Sequence, residues 1–229
     1  SSCFGSSMGE VMGHKNQASL ARVERKSRRI LIFAVPSILV LLQFGCSLSS
    51  VPPLKEPLLA SKTPIDLKRF MGSWYVLGHI PVRLVKEHTA SNAVETYTWN
   101  EAKQEMWVHY RFNENALDGK INDSYQRGWV FNKETSTEWR VSPKLPLLGY
   151  ALSGFLKLPY IIVDCTKDYS TSIVGYPNRD YLWILSRSLL PDAKYEKLVR
   201  KSVAMGYNEN LIRRVPHDST AKSFPVPES

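Results

Sequence analysis

The most constraining stretch of this chain is Met106-Trp107-Val108-His109-Tyr110-Arg111-Phe112. Met106, Val108, Tyr110 and Phe112 share one face of an extended strand, and His109 and Arg111 take the other. A segment that alternates in this way buries one side only, so it needs other strands of the same kind beside it. Similar short runs, rich in β-branched and aromatic residues and broken by turn residues, occupy 74–80, 92–99, 127–132, 139–141, 159–165, 171–176 and 181–185. Eight consecutive strands predict an all-β fold, an eight-stranded antiparallel up-and-down β-barrel, because closure is how such a sheet removes its edges. Downstream, Pro191 precedes Tyr195, Leu198, Val199 and Ser202 on one face, and Gly206 follows as a stop. This predicts one C-terminal α-helix packed on the barrel.

What precedes the barrel is different in kind. With 43% hydrophobic and 22% charged residues the chain can bury a core, which excludes a wholly disordered chain and a polytopic membrane protein. Its net charge of +9 is spread between a basic head (Lys15, Arg22, Arg25, Lys26, Arg28, Arg29) and the remainder, a distribution that points away from nucleic acid. Ile30 to Leu42 is uncharged and apolar, too short to span a bilayer comfortably but matched to the h-region of an export signal. Gly45-Cys46 after it resembles the lipobox of bacterial lipoproteins. That resemblance implies lipidation at Cys46 and anchoring at the outer membrane facing the periplasm; a secreted chain and an uncleaved signal anchor are the alternatives. Residues 1–46 thus read as an export region, 47–64 as a flexible tether rich in Ser, Pro and Lys, 65–216 as the folded domain and 217–229 as a flexible tail.

Three blocks within the domain resemble the lipocalin family, in order and spacing. Gly72-Ser73-Trp74, after Asp66-Leu67-Lys68-Arg69-Phe70-Met71, resembles the Gly-x-Trp opening of the first strand. Asp168-Tyr169 falls where the family has a Thr-Asp-Tyr turn, with Lys167 in place of Thr. Arg179 to Arg187 is very similar to the last strand of bacterial lipocalins related to apolipoprotein D. The resemblance implies a calyx closed before Trp74 and open at the other end. It also implies structural roles for Gly72, Trp74, Asp168, Tyr169 and Arg187, with Arg187 stacked on Trp74 in a contact worth about 0.5–2 kcal/mol.

Alternation together with the family likeness places Tyr97, Met106, Val108, Tyr110, Phe112, Trp139, Val141, Tyr160, Ile162, Ile173, Tyr181 and Trp183 inside, facing a ligand or filling a solid core. Trp129 and Phe131 are assigned to the same lining, with Gly128 and Val130 as the alternative inward pair. Glu95 shares the parity of Tyr97: it either holds a ligand's polar group or sits solvated near the mouth. No spacing among the histidines and Cys165 suggests a metal site, no nucleotide motif is present, and no cofactor is expected. The reading is a non-enzymatic binding protein that carries or stores a hydrophobic or amphiphilic ligand, a fatty acid or lysophospholipid, at a membrane surface. The alternatives are a lipocalin-fold enzyme acting on a lipid with Glu95 or Asp164 as acid or base, and a surface interaction protein with an occluded barrel. A homodimer is left open. The segment 143–157, with Leu147, Leu148, Phe155 and Leu156, is more apolar than connections usually are. It reads either as a membrane contact beside Arg83, Lys86 and Lys120 at the open end, or as a lid.

Overall fold

A computed structural model describes residues 56–82, 87–145, 148–151 and 155–219. The strands are β1 (Gly72–Ile80), β2 (Ala90–Asn100), β3 (Glu105–Glu114), β4 (Ile121–Val130), β5 (Glu138–Pro143), β6 (Leu158–Cys165), β7 (Thr171–Gly175) and β8 (Leu182–Ser186). They pair antiparallel in sequence order, and β1 closes the ring by pairing with both β8 and β2, giving a closed eight-stranded barrel. A short ninth strand, β9 (Arg213–Arg214), is added to the upper part of β1. The chain enters β1 at the closed end. The connections β1–β2, β3–β4, β5–β6 and β7–β8 therefore all lie at the opposite end.

Two apolar layers follow from this closure. Inside the barrel lie Trp74, Val76, Tyr97, Met106, Val108, Trp139 and Ile162 among others. Outside, the helix α2 (Asp192–Ala204) sets Tyr195 and Val199 against Leu77, Ile80, Ile173, Leu182 and Ile184. Tyr195 packs so closely that a Cβ at position 78 would stand 2.6 Å from its hydroxyl, which accounts for Gly78. The Lys201 amine pairs with Asp164 at 2.6 Å and ties the helix to β6.

The closed end is held by one arginine. The Arg187 guanidinium lies 3.7 Å from the centroid of the Trp74 ring and donates to the carbonyls of Ser73 (2.8 Å), Arg69 (3.0 Å), Phe70 (2.9 Å) and Met71 (2.8 Å). Those carbonyls belong to the short helix α1 (Leu67–Phe70), capped at its start by Asp66, and to the turn into β1. Gly72 has φ +94° beside the same guanidinium, a conformation other residues enter only with strain. The Asp168-Tyr169 turn completes the closure. The Tyr169 hydroxyl accepts from the Asp66 backbone at 2.7 Å, the Arg69 guanidinium lies 4.1 Å from the ring centroid, and the Asp168 carboxylate accepts from Ser170 Oγ at 2.8 Å.

Three sequence expectations are corrected here. The tether expected over 47–64 does not extend to residue 64, because Leu58 N donates to Pro177 O (2.7 Å), Ser61 N to Ile162 O (2.9 Å) and Thr137 Oγ1 to Ser61 O (2.8 Å). Nor are His217 and Asp218 part of a free tail as expected, since His217 Nε2 hydrogen-bonds Val76 O at 2.9 Å and Asp218 N donates to Asn92 at 3.0 Å. Strand β4 starts at Ile121, not near 127, with the polar run Asn122 to Gln126 that lacks an apolar strand signal. Residues 1–55, with the expected export segment and Cys46, lie outside the described residues.

Replacing Arg187 by Ala removes the cation from Trp74 and leaves four carbonyls short of a donor. The expected loss is about 2–3 kcal/mol, lowering Tm by about 5–10 °C in calorimetry. Arg187→Lys should recover only part, because one ammonium cannot reproduce the planar fork. An unchanged Tm in Arg187→Ala would remove this clamp from the account of stability.

Candidate functional site

The interior divides along the barrel axis. Toward the closed end it is filled with rings: Phe70 lies 4.9 Å from Trp74 and 5.3 Å from Trp139, Trp139 stacks on Tyr160 at 5.5 Å, and Tyr97 meets Trp139 edge-on at 5.8 Å. The upper face of this floor is polar. Glu95 on β2 accepts from the Tyr97 hydroxyl at 2.6 Å, and Tyr97 and Tyr160 share a hydrogen bond between their hydroxyls. Glu95 is 2% exposed, which settles its orientation as inward. Burial pushes its carboxyl up to about 7, against the opposing effect of the two tyrosine hydroxyls.

A second buried acid lies nearer the open end. Glu87, in the single turn 87–89 before β2, accepts from Val82 N at 3.0 Å, and its carboxylate is 3.9 Å from His79 Nδ1. Burial pushes Glu87 up to about 8, and the charge on Glu95 adds to the effect. His79 is driven the other way, down to about 4, by burial and then by Arg213. The Tyr110 hydroxyl feels both carboxylates, and neither it nor His79 Nδ1 has a hydrogen-bond partner among the described residues. Buried groups of this kind are normally satisfied, so the pair marks unused capacity inside the barrel.

Sequence reasoning did not single out His79 or Glu87. In β1, parity counted from Trp74 points position 79 outward. A bulge between Val76 and Gly78 reverses the count, so His79 stands opposite the inward Trp183. Glu87 lies in a turn, where periodicity carries no signal.

Of the expected lining, Tyr97, Met106, Val108, Tyr110, Phe112, Trp139, Val141, Tyr160, Ile162 and Trp183 are buried in the interior cluster, and Tyr181 packs against it. Three residues are not inside. Ile173 belongs to the layer under α2, and its neighbour Val174 faces inward. Both faces of β7 are covered by apolar layers, so alternation there gives no direction. Trp129 and Phe131 face outward, because Gly128 pairs with the inward Val141 and Val130 with the inward Trp139. Phe131 is 62% exposed under the Arg140 guanidinium, and Trp129 carries the Lys157 amine 5.0 Å from its ring centroid. On β4 the aromatic face is the outer one, which inverts an assignment based on apolarity. Asp164 pairs with Lys201 on the outer surface and so lies away from the interior acids. Cys165 is a half-buried thiol pushed up to about 11 by burial, not a thiolate nucleophile. No cluster of His, Cys, Asp and Glu among the described residues could hold a metal ion.

The two acids make stability depend on pH. Unfolding returns both carboxyls to their ordinary value of 4.5, so between there and the raised values the folded chain holds more protons than the unfolded one. Their contribution is complete below 4.5 and is lost as pH rises through about 7 for Glu95 and about 8 for Glu87. His79 acts oppositely, contributing above 6.5 and losing that as pH falls through about 4. From about pH 6.5 to 8.5 the carboxyls act without it, so Tm should fall across this window, less steeply in Glu95→Gln or Glu87→Gln. Equal slopes in calorimetry would show that the acids are charged throughout.

The profile of the lipocalin-like domain family matches residues 65–217. Temperature-induced lipocalin-1 of Arabidopsis thaliana is 28% identical over 171 residues, 72% of this chain and 86% of that protein. Outer membrane lipoprotein Blc of Escherichia coli (strain K12) is 25% identical over 162 residues, 70% of this chain and 81% of that one. Among solved structures, insecticyanin from the tobacco hornworm Manduca sexta has the same fold, with a TM-score of 0.52 at 15% identity over 74% of this chain and 88% of that one. With a matching domain over most of its length and a closed eight-stranded barrel flanked by one helix, this chain belongs to the lipocalin family.

Proposed function

We propose that the barrel carries or stores a long-chain amphiphile, of the fatty acid or lysophospholipid type, taken up at a membrane surface. The observation that carries this reading is the interior itself. It is closed at one end by Arg187 and Trp74, walled by aromatic side chains, and supplied with buried polar atoms that have no partner among the described residues. An apolar pocket with a few convergent polar groups is the usual form of a small-molecule site. The inward side chains of β4 support it, since Asn122, Ser124 and Gln126 stand opposite Phe112, Tyr110 and Val108 and remain half-buried.

The membrane part rests on the open end and on the relatives. Phe155 is 90% and Leu148 53% exposed on the β5–β6 connection, where apolar side chains suit an interface. Leu156 and the exposed Lys120 also belong to this end, whereas Arg83, Lys86 and Leu147 lie outside the described residues. Blc is named an outer membrane lipoprotein, and the export segment ending at Cys46 supports the same anchoring for this chain.

Binding of dodecanol, followed by calorimetry, should weaken about tenfold or more in Phe112→Asp, which sets a charge among the lining rings, while far-UV circular dichroism stays β-rich. Unchanged affinity would move the ligand out of the barrel. In vesicle sedimentation, Leu148→Asp with Phe155→Asp should weaken attachment to anionic vesicles about tenfold. Cys46→Ala should shift the chain from the membrane to the soluble fraction of a bacterial host, and continued attachment would overturn the lipid anchor.

A further inference from the structure

The interior of this barrel is acidic in a way that an aliphatic tail does not explain. Glu87 and Glu95 are both buried, and among the described residues no lysine or arginine is paired with either. Glu87 is held by one backbone N–H, Glu95 by two tyrosine hydroxyls. Several bases are engaged elsewhere, Lys201 with Asp164, Arg111 with Asp123, and Arg187 at the closed end. The facing titratable groups cannot serve as the missing cation. His79 on β1 is kept neutral, with Arg213 of the exposed β9 opposing its charge. Tyr110 on β3, Tyr160 on β6 and Tyr176 beyond β7 are all shifted further above their ordinary values by the acids. Uncompensated carboxylates at such depth are costly, and a positive group placed between them would remove the cost.

We propose that the barrel selects amphiphiles carrying a positively charged nitrogen head, an alkylammonium or quaternary ammonium group, which sits between Glu87 and Glu95 while the chain packs along the aromatic wall. This deepens the binding reading above and rests on it. The walls suit such a head twice over. Rings of Tyr110, Phe112 and Trp183 offer faces that attract cations, and the two carboxylates supply the countercharge. Tyr110 Oη and His79 Nδ1, both buried and unpartnered, complete the polar surroundings of the same space. A fatty acid carboxylate offers the two acids no countercharge and binds there only while both stay protonated. Of the two expected ligand types, only a lysophospholipid with an amine or choline head carries such a nitrogen, next to a phosphate of opposite charge.

Binding of the cation converts neutral carboxyls to carboxylates and releases their protons to the buffer. Calorimetry on the full chain with three probes of equal chain length, dodecyltrimethylammonium, dodecanoate and dodecanol, separates the possibilities. At about pH 7.5 the ammonium probe should bind about tenfold or more tightly than dodecanoate. Its advantage should grow from about pH 6 to 8.5, and its heat should vary with the ionisation enthalpy of the buffer because protons leave. Glu95→Gln and Glu87→Gln should each lower the ratio of ammonium to alcohol affinity about tenfold. If either variant fails to fold, proton release by the unaltered chain decides the matter. Dodecanoate binding as tightly as the ammonium probe, or ammonium binding without proton release, overturns the proposal. If dodecanol still binds in that case, the barrel reading survives; if none of the three binds, both fall.

Discussion

Residues Gly72 to Tyr75 pair on one side with β2 and residues Tyr75 to Ile80 on the other with β8, so one strand converts a twisted sheet into a ring. Everything else in the molecule depends on that closure. It removes both sheet edges, creates an inside that backbone cannot cross, and forces every strand to divide its side chains between interior and exterior. The Arg187 clamp stands where β1 begins. One guanidinium there satisfies four carbonyls of the chain that enters the strand.

Closure also explains why the interior can afford acids at all. Between the ring floor of Phe70, Trp74 and Trp139 and the open end, Glu95, Glu87 and His79 are held in their neutral forms by desolvation. A carboxylic acid kept protonated can donate a hydrogen bond, and one that is ionised by a ligand becomes a countercharge. The same two side chains thus give the barrel two chemical states, chosen by pH.

The legibility of this site in the sequence was uneven, for physical reasons. Strand β3 has a polar outer face, where His109 and Arg111 pair with Asp123, so its alternation set Val108, Tyr110 and Phe112 inward correctly. Strand β7 is covered on both faces, and Ile173 could not be told from Val174. Strand β4 turns Trp129 and Phe131 outward beneath Lys157 and Arg140, so its apolar face is the wrong guide to its interior. Glu95 could be placed by parity with Tyr97 because no bulge separates them. His79 could not, because a bulge does.

Composition, eight short runs and one amphipathic helix were enough to indicate the barrel and its helix, while the resemblance of three short blocks implied the family and the closed-end clamp. These features are local, or repeat with the period of the backbone, and the chain alone specifies them. Only the tertiary structure decided which residues confront one another inside. A β-bulge is a property of strand pairing, and the burial of Glu87 depends on strands closing around a turn that has no pattern of its own. The chemistry of the site therefore came from closure, which brings residues distant in sequence into one desolvated space and shifts their proton affinities there.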